Sequence, residues 1–424
     1  MTRTLIACLA LATASVASAQ FSYDFESLSL GDILGQDTWG AVTAGSTPPS
    51  GSAIIQSTKV SPLDGSTKAL LFQRIIGQAG GADMRAQRNL NAPVTGGSVR
   101  VQWDLMMSGR SNPAASNLFL SGLLYSGVGV AALNQIIQPY GQNGGGPGGA
   151  LNGFADIDGL DISGYVGYNL VSGYLYPDTW YRFEFDMDWS DHSITNFRTT
   201  DINSGTLGLP TEMGTYLPLF GHPRLKWFFN NDGTNWTDQW NRIGFRASGM
   251  QGDPGTEYLV VDNFKITPVS RIHATINLGD FAGGNVAGQK IFVEVRDASG
   301  NILDRMAVGP DAAGNVYFHT KETGVKTIAL KGSHWLRHVK TGVDLSTGSA
   351  GAFSNVNGDC DGDNEVGIGD YAILSGAYGA YGGDVGFSNP DAGWSFEADL
   401  NGDNVVDIGD YAILSANYGQ IGDD

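Results

Sequence analysis

Tyr181-Arg-Phe183-Glu-Phe185-Asp-Met187-Asp-Trp189 alternates apolar and charged side chains without a break. Successive side chains of an extended chain point to opposite faces, so this run places its aromatic and Met side chains on one face and Arg182, Glu184, Asp186 and Asp188 on the other. The pattern predicts a half-buried antiparallel strand. Upstream, Val99, Val101, Trp103 and Leu105 alternate with Arg100, Gln102 and Asp104 in the same way. Between such runs lie turn-rich segments: residues 141–153 contain Gly-Gly-Gly-Pro-Gly-Gly, and the 424-residue chain holds 61 glycines. Short alternating strands joined by glycine-rich loops, from residue 21 to about 267, predict a sandwich with long rim loops in a mainly β, multidomain protein.

Three segments carry a resemblance. Phe-Ser-Tyr-Asp-Phe-Glu at 21–26 with Gly-Gln-Asp-Thr-Trp at 35–39, the central Asp178-Thr-Trp-Tyr-Arg-Phe-Glu-Phe-Asp, and the closing Tyr258-Leu-Val-Val-Asp-Asn-Phe-Lys-Ile resemble laminin-G-like domains of the concanavalin A-like jelly-roll superfamily. The resemblance implies a jelly-roll domain over 20–268 whose first and last strands pair and whose central aromatic segment is a core strand. That fold hosts lectins, adhesion modules and glycosidases alike, so it does not by itself name a ligand.

Pro268 reads as a boundary. From 269 to 350 come further short strands: 272–278, then Lys290–Arg296 with Ile291, Val293 and Val295 in one phase, an Ala-Ser-Gly-Asn turn at 298–301, 316–320, and 326–330. Their regular spacing predicts a small immunoglobulin-like or transthyretin-like β-sandwich acting as a spacer.

The last part of the chain is a duplicated acidic loop. Asp359-Cys-Asp361-Gly-Asp363-Asn-Glu365-Val-Gly-Ile-Gly-Asp370 recurs at an offset of 40 as Asp399-Leu-Asn401-Gly-Asp403-Asn-Val405-Val-Asp-Ile-Gly-Asp410. Oxygen side chains at positions 1, 3, 5 and 12, with the carbonyl of position 7 (Glu365 or Val405), form the spacing at which a turning backbone aims ligands at one calcium ion. Asn364 and Asn404 replace the usual glycine at position 6, and Asn tolerates the left-handed backbone needed there. Both loops run into Ile-Gly-Asp-Tyr-Ala-Ile-Leu-Ser, so each predicts a loop followed by a helix, with Ile368, Tyr371, Leu374, Tyr378 and their copies packing the two helices together. Residues 341–424 contain no Lys or Arg, a charge density that repels itself unless cations neutralise it. The arrangement over 355–424 resembles a dockerin, the duplicated calcium module that plugs into cohesin domains. The resemblance implies two calcium sites and a cohesin-like or cell-surface partner. It departs from dockerins where Ile368-Gly369 and Ile408-Gly409 stand at positions that usually carry polar, partner-reading residues.

Residues 1–19 read as a secretory signal: Arg3, an apolar stretch from Leu5 to Val16, and Ala17-Ser-Ala19 before Gln20. The protein is therefore expected outside the cell or on its surface. Of its two cysteines Cys8 falls in that signal, leaving Cys360 and no disulfide framework. No later run approaches a membrane span, and a formal charge of −19 disfavours nucleic acid and anionic membranes as partners.

Candidate chemistry is sparse. Glu184, Asp186 and Asp188 resemble the Glu-x-Asp-x-Glu strand of laminarinase-type glycosidases, in which paired carboxylates about 5–5.5 Å apart flank the bond in retaining enzymes. The plainer expectation is the solvated polar face of a strand. His334 and His338 have the spacing of a zinc-protease helix, yet Trp335 stands where its general base belongs. Asp156, Asp158 and Asp161 fit either an Asp/Gly turn or a rim calcium. Trp227, Trp236 and Trp240 lie among Asn230, Asn231, Asp232 and Asn235, and aromatic planes with amides suit a neutral polysaccharide. The sequence thus predicts a non-catalytic recognition or adhesion protein with a calcium-binding tail. A polysaccharide-degrading glycosidase and a structural cell-surface component are the alternatives.

Overall fold

The computed structural model describes residues 21–41, 51–74, 82–94, 96–108, 178–190, 193–205, 240–250, 258–281, 286, 289–382 and 391–424, with short strands at 125–126, 134–135, 138–142, 150–156, 167–169, 211–212 and 225–226. The fold is mainly β.

The central run forms the strand Trp180–Asp188, paired antiparallel with Ser98–Met107 in a register that sets Phe183 opposite Trp103. Their sheet continues through Ser193–Asp201 on one side and through Tyr258–Leu278, Ala69–Arg74 and Gly51–Gln56 on the other. Phe21–Tyr23 joins it against 264–266, so the first and last strands of the jelly roll pair. A second sheet of Trp240–Met250, Ala82–Val94 and Gly40–Ala41 packs against it. Apolar residues of both sheets interleave: Trp103 stacks on Phe183 at 5.4 Å, and Trp39 on Phe245 at 6.3 Å. Every apolar residue of the 181–189 alternation lies in this core.

Pro268 does not end a strand. Residues 258–278 form one continuous strand that pairs with the jelly roll as far as Val269 and then with Asn315–Thr320 and, in parallel, Ser349–Asn355. Pro268 faces Val99 on one side, while on the other the partner strand stops at Phe21, opposite Ile266. A proline is tolerated where no ladder bond is asked of its nitrogen. The second sandwich is completed by the sheet of Ile302–Val308, Ile291–Arg296, Val325–Gly332 and His338–Asp344 over a core that includes Ile276, Val293, Phe318, Trp335 and Phe353.

The polar face of Trp180–Asp188 is covered, contrary to the solvated face expected of it. Arg100 donates from Nε and Nη2 to both oxygens of Asp186, at 2.8 and 3.1 Å, and from Nη1 to Asp304 of the second sandwich at 2.8 Å. Arg198 reaches Asp304 at 2.7 Å and Glu184 at 3.1 Å, and Asp188 is met by His319 at 2.9 Å and Arg271 at 3.0 Å. Arg100, Asp186 and Asp304 are all buried. Burial alone raises a carboxyl pKa, but Arg100 and Arg198 outweigh it and hold Asp304 below the ordinary carboxylate range. Asp188 is likewise drawn to about 2, the His319 and Ser190 hydrogen bonds overcoming its burial.

Removing one partner from a buried ion network leaves its charges uncompensated. Arg100→Met, which strands Asp186 and Asp304, is expected to cost about 3–5 kcal/mol of unfolding free energy in urea titrations followed by Trp fluorescence. Glu184→Gln, at the partly exposed rim, should stay within about 1 kcal/mol. A loss from Arg100→Met no larger than that from Glu184→Gln would show that the network does not hold the sandwiches together.

Candidate metal centre

The helices following the two loops are α1 (Ile368–Ala377) and α2 (Ile408–Asn417). Each begins with the loop's last acid, Asp370 or Asp410, at its third residue. There the carboxylate accepts the exposed backbone N–H of Gly367 at 2.6 Å or of Asp407 at 2.8 Å, closing the first turn. Asn364 and Asn404 adopt φ of 73° and 67°, the left-handed conformation expected of position 6. Gly369 is constrained by packing: a Cβ on it would meet Asp361 Oδ2 at 2.0 Å, so only glycine at position 11 lets the position-3 carboxylate lie across the helix start.

The duplicated halves are interlocked. Val366 of loop 1 exchanges backbone hydrogen bonds of 2.8 Å with Gly419 and Gln420 after α2, while Val406 of loop 2 does the same with Gly379 and Ala380 after α1, at 2.8 and 3.0 Å. Each loop is therefore closed by the end of the other helix. Val366, Val406, Leu374 and Leu414 fill a small core with Cys360, Leu400 and Leu336, the last supplied by the second sandwich. Cys360 points into this core, as its loop position implies, and burial pushes its thiol pKa up. The expectation that Ile368, Tyr371, Leu374 and Tyr378 pack between the helices holds only at Leu374 and its copy Leu414, which are buried. The other three and their copies are exposed, although Tyr371 and Tyr411 meet edge to face at 6.1 Å.

Asp359, Asp361 and Asp363 each bring a carboxylate oxygen within 4.8 Å of the others. Asp359 is fully buried; its Oδ2 accepts from Asn364 N–H at 3.1 Å and from the Lys331 ammonium, while its Oδ1 has no hydrogen-bond partner. A buried carboxylate oxygen without a donor costs free energy unless a cation meets it, so the residues present fit a hard metal ion. Asp370 stands behind the trio, its Oδ1 accepting from Asp361 N–H at 3.0 Å. In loop 2 Asp399 accepts from Gly402, Asp403 and Asn404 N–H, and Asp403 Oδ2 from the Asn401 side chain at 3.0 Å. Burial, reinforced by Asp410 and Asp403, pushes Asp399 up to about 6; burial and neighbouring carboxylates also raise Asp361, and burial is the largest cause for Asp359 and Asp410. These shifts mark carboxylates that are buried first and crowded by other carboxylates second.

The remaining candidates separate from this centre. Asp186 and Asp188 are bound in the buried network, and only Glu184 of that trio stands at a rim, itself paired with Arg198. Buried Asp104 is likewise occupied, by Arg182 at 2.7 Å and Ser61 at 2.7 Å. His334 and His338 share no helix face: His334 is buried against Trp335 and Phe396, which lowers its pKa to about 3, and His338 bonds the backbone of Ser354. Trp227, Trp236, Asp158 and Asp161 lie outside the described residues, as do the side chains of Asp156 and Trp240, at the ends of Ala150–Asp156 and Trp240–Met250. Arg100 reads in the sequence only as the polar face of a strand, and Asp304, His319 and Lys331 carry no signal there, because no local pattern marks a charge that acts across a domain contact.

No protein-family model matches the sequence, and no curated protein does. Among solved structures the chain is similar to one in a type II cohesin–X-dockerin complex from Acetivibrio cellulolyticus, at 15% identity and a TM-score of 0.29, covering 36% of this chain and 97% of that one. It is also similar to the endo-β-1,4-glucuronan lyase from Trichoderma reesei (13% identity, TM-score 0.33, 58% and 94% covered) and to the catalytic domain of a glycoside hydrolase family 131 protein from Coprinopsis cinerea (12%, 0.34, 54% and 82%). Among the described residues no helix is long and apolar enough to cross a membrane.

A carboxyl pKa that is higher in the folded than in the unfolded state contributes stability at low pH that is lost as pH rises through the folded value. With chelator present, the tail is therefore expected to lose stability between about pH 4 and pH 6, the window set by the ordinary Asp value of 3.8 and by Asp399. With millimolar calcium the loss should vanish. Amide hydrogen exchange of α1 and α2 at pH 5 and pH 7 measures it; equal protection at both pH values in chelator contradicts the assignment.

Proposed function

We propose that this is an extracellular or cell-surface modular protein in which a non-catalytic jelly roll over 20–268 recognises carbohydrate, the sandwich over 269–350 acts as a spacer, and residues 355–424 form a dockerin-like, calcium-dependent docking module. The observation that carries the reading is the buried Asp359 Oδ1 without a donor, set among Asp361 and Asp363 in a duplicated twelve-residue loop. Calcium would be held in loop 1 by Asp359, Asp361, Asp363, Asp370 and the Glu365 carbonyl, and in loop 2 by Asp399, Asn401, Asp403, Asp410 and the Val405 carbonyl. When bound, it supplies the positive charge that lets these carboxylates converge.

The helices present what the module docks with. Ile368 and Ile408 are 72% and 64% exposed, and Tyr371, Leu374, Ser375, Tyr378, Ile408 and Tyr411 line a groove of about 410 Å³. Two-fold duplicated apolar residues around a groove favour an apolar partner face, and the dockerin resemblance makes that partner cohesin-like. The glycosidase alternative is weakened, because Asp186 and Asp188 are buried in ion pairs at the contact with the second sandwich and only Glu184 of the trio stands at a rim. The carbohydrate role of the jelly roll rests on the tryptophan and amide cluster at 227–240.

Calorimetry of the full chain is expected to show two calcium sites, and Asp359→Ala with Asp399→Ala should abolish both. Immobilised chain should retain a recombinant cohesin domain in calcium but not in chelator, and Ile368→Asp with Ile408→Asp should release it without changing the circular dichroism spectrum. Fewer than two calcium sites, or no calcium-dependent retention across a panel of cohesins, defeats the docking reading. For the jelly roll, Trp236→Ala with Trp240→Ala should weaken retention on neutral polysaccharide gels by roughly 1–3 kcal/mol. Hydrolysis of a β-glucan by the wild type would instead restore the enzyme reading.

A further inference from the structure

The two loops differ in charge. At the side-chain ligand positions 1, 3, 5 and 12, loop 1 carries four carboxylates, Asp359, Asp361, Asp363 and Asp370, and loop 2 carries three, Asp399, Asp403 and Asp410, because Asn401 stands at position 3; each loop has one further acid, Glu365 at position 7 and Asp407 at position 9. Among the described residues only loop 1 is met by a cation from elsewhere in the chain. Lys331, near the end of the strand Val325–Gly332 in the second sandwich, pairs with Asp359 Oδ2 and also donates to the Trp335 carbonyl at 2.9 Å. Its side chain is only 14% exposed, so the contact is built into the junction between sandwich and tail. One ammonium set against four ligand-position carboxylates leaves the same three negative charges that loop 2 has at those positions unaided.

The placement within the carboxylate matters as much as the charge. Lys331 and the Asn364 N–H occupy Oδ2, and Oδ1 is left for an ion. The junction is tied further by backbone bonds: Arg337 N–H donates to Asn364 Oδ1 at 2.7 Å, and Gly358 and Asp359 N–H donate to the His334 carbonyl at 2.9 and 3.0 Å. The strand that carries Lys331 and the loop that carries Asp359 therefore hold fixed positions relative to each other.

We propose that Lys331 is a charge-balancing positioning residue of the first calcium site: the second sandwich lends an ammonium to loop 1, lowering its calcium affinity toward that of loop 2 and keeping it folded when calcium is scarce. The proposal rests on the calcium reading of the loops. A fixed positive charge behind Asp359 repels the incoming ion and cancels part of the carboxylate self-repulsion that calcium would otherwise relieve. Both effects weaken binding, and the second stabilises the loop without the ion. Asp361, the acid that loop 1 has in excess of loop 2, is the charge Lys331 offsets.

The test is calorimetric calcium titration of the full chain at low salt, in wild type and with Asp399→Ala to isolate loop 1, each with Lys331→Gln, which keeps a donor to Asp359 and removes the charge. The expected result is calcium binding by loop 1 roughly tenfold tighter in Lys331→Gln, with the gain shrinking as salt is raised and the loop 2 affinity unchanged. The thermal midpoint of Lys331→Gln should fall in chelator and recover in calcium, and Lys331→Arg should bind like the wild type. A purely structural role predicts weaker binding and a lower midpoint in both conditions. Unchanged or weaker loop 1 binding in a folded Lys331→Gln protein overturns the proposal alone; a wild type that binds no calcium overturns the calcium reading and the proposal with it.

Discussion

The strand 258–278 belongs to two sandwiches at once, and that single constraint organises the molecule. Because the chain stays extended through Pro268, the second sandwich cannot swing away on a linker; it emerges beside the polar face of the sheet that contains Trp180–Asp188. A face of alternating charges is then buried and must be neutralised, which Arg100, Arg198, Asp304 and His319 do from both sides of the contact. Buried ion networks add little net stability over an apolar contact, but they penalise any misplacement of one partner. The network thus fixes orientation, while the aromatic cores supply the cohesion.

The same logic continues into the tail. Leu336 enters the core of the helical unit, Asn364 takes a hydrogen bond from Arg337, and Val339 N–H donates to Asp423 at 2.8 Å. Loop 2 is held as well: Gly402, at φ 78°, lies so close to Phe281 that a Cβ there would meet the ring at 2.2 Å. The acidic loops are thereby attached to the second sandwich along much of their length. A docking face on α1 and α2 would move with that sandwich, and through the shared strand with the jelly roll. Rigid spacing between the jelly roll and the helical unit is what such a chain can provide.

How much was legible follows from the range of each interaction. The alternation at 181–189 placed its strand and its apolar face correctly, because period-two patterning is local. The loop positions, the left-handed Asn364 and Asn404 and the helix starts at Ile368 and Ile408 were readable for the same reason: each is dictated within a dozen consecutive residues. The polar side of the strand is buried rather than solvated, and nothing near Asp186 announces that Arg100 and Arg198 will be met by Asp304 of the second sandwich. Next to Pro268, read as a boundary, the strand 258–278 changes partners without breaking, because whether a proline breaks a strand depends on whether a neighbour needs an N–H there. Of Ile368, Tyr371, Leu374 and Tyr378, expected between the helices, Leu374 is buried there, Tyr371 only touches Tyr411, and Ile368 and Tyr378 are exposed; an apolar pattern marks a face without saying what meets it.

The sequence by itself determined the mainly β character, the duplicated acidic loops with their following helices, and the oxygen atoms available to a cation. Only the tertiary structure decided that the loops interlock through Val366 and Val406, that Asp186 and Asp188 are sealed in a contact between sandwiches, and that Lys331 pairs with Asp359 of loop 1. The division is physical. Backbone turns and side-chain alternation are set by neighbours along the chain, whereas the fate of a charge is set by whatever distant group folding brings within hydrogen-bonding distance.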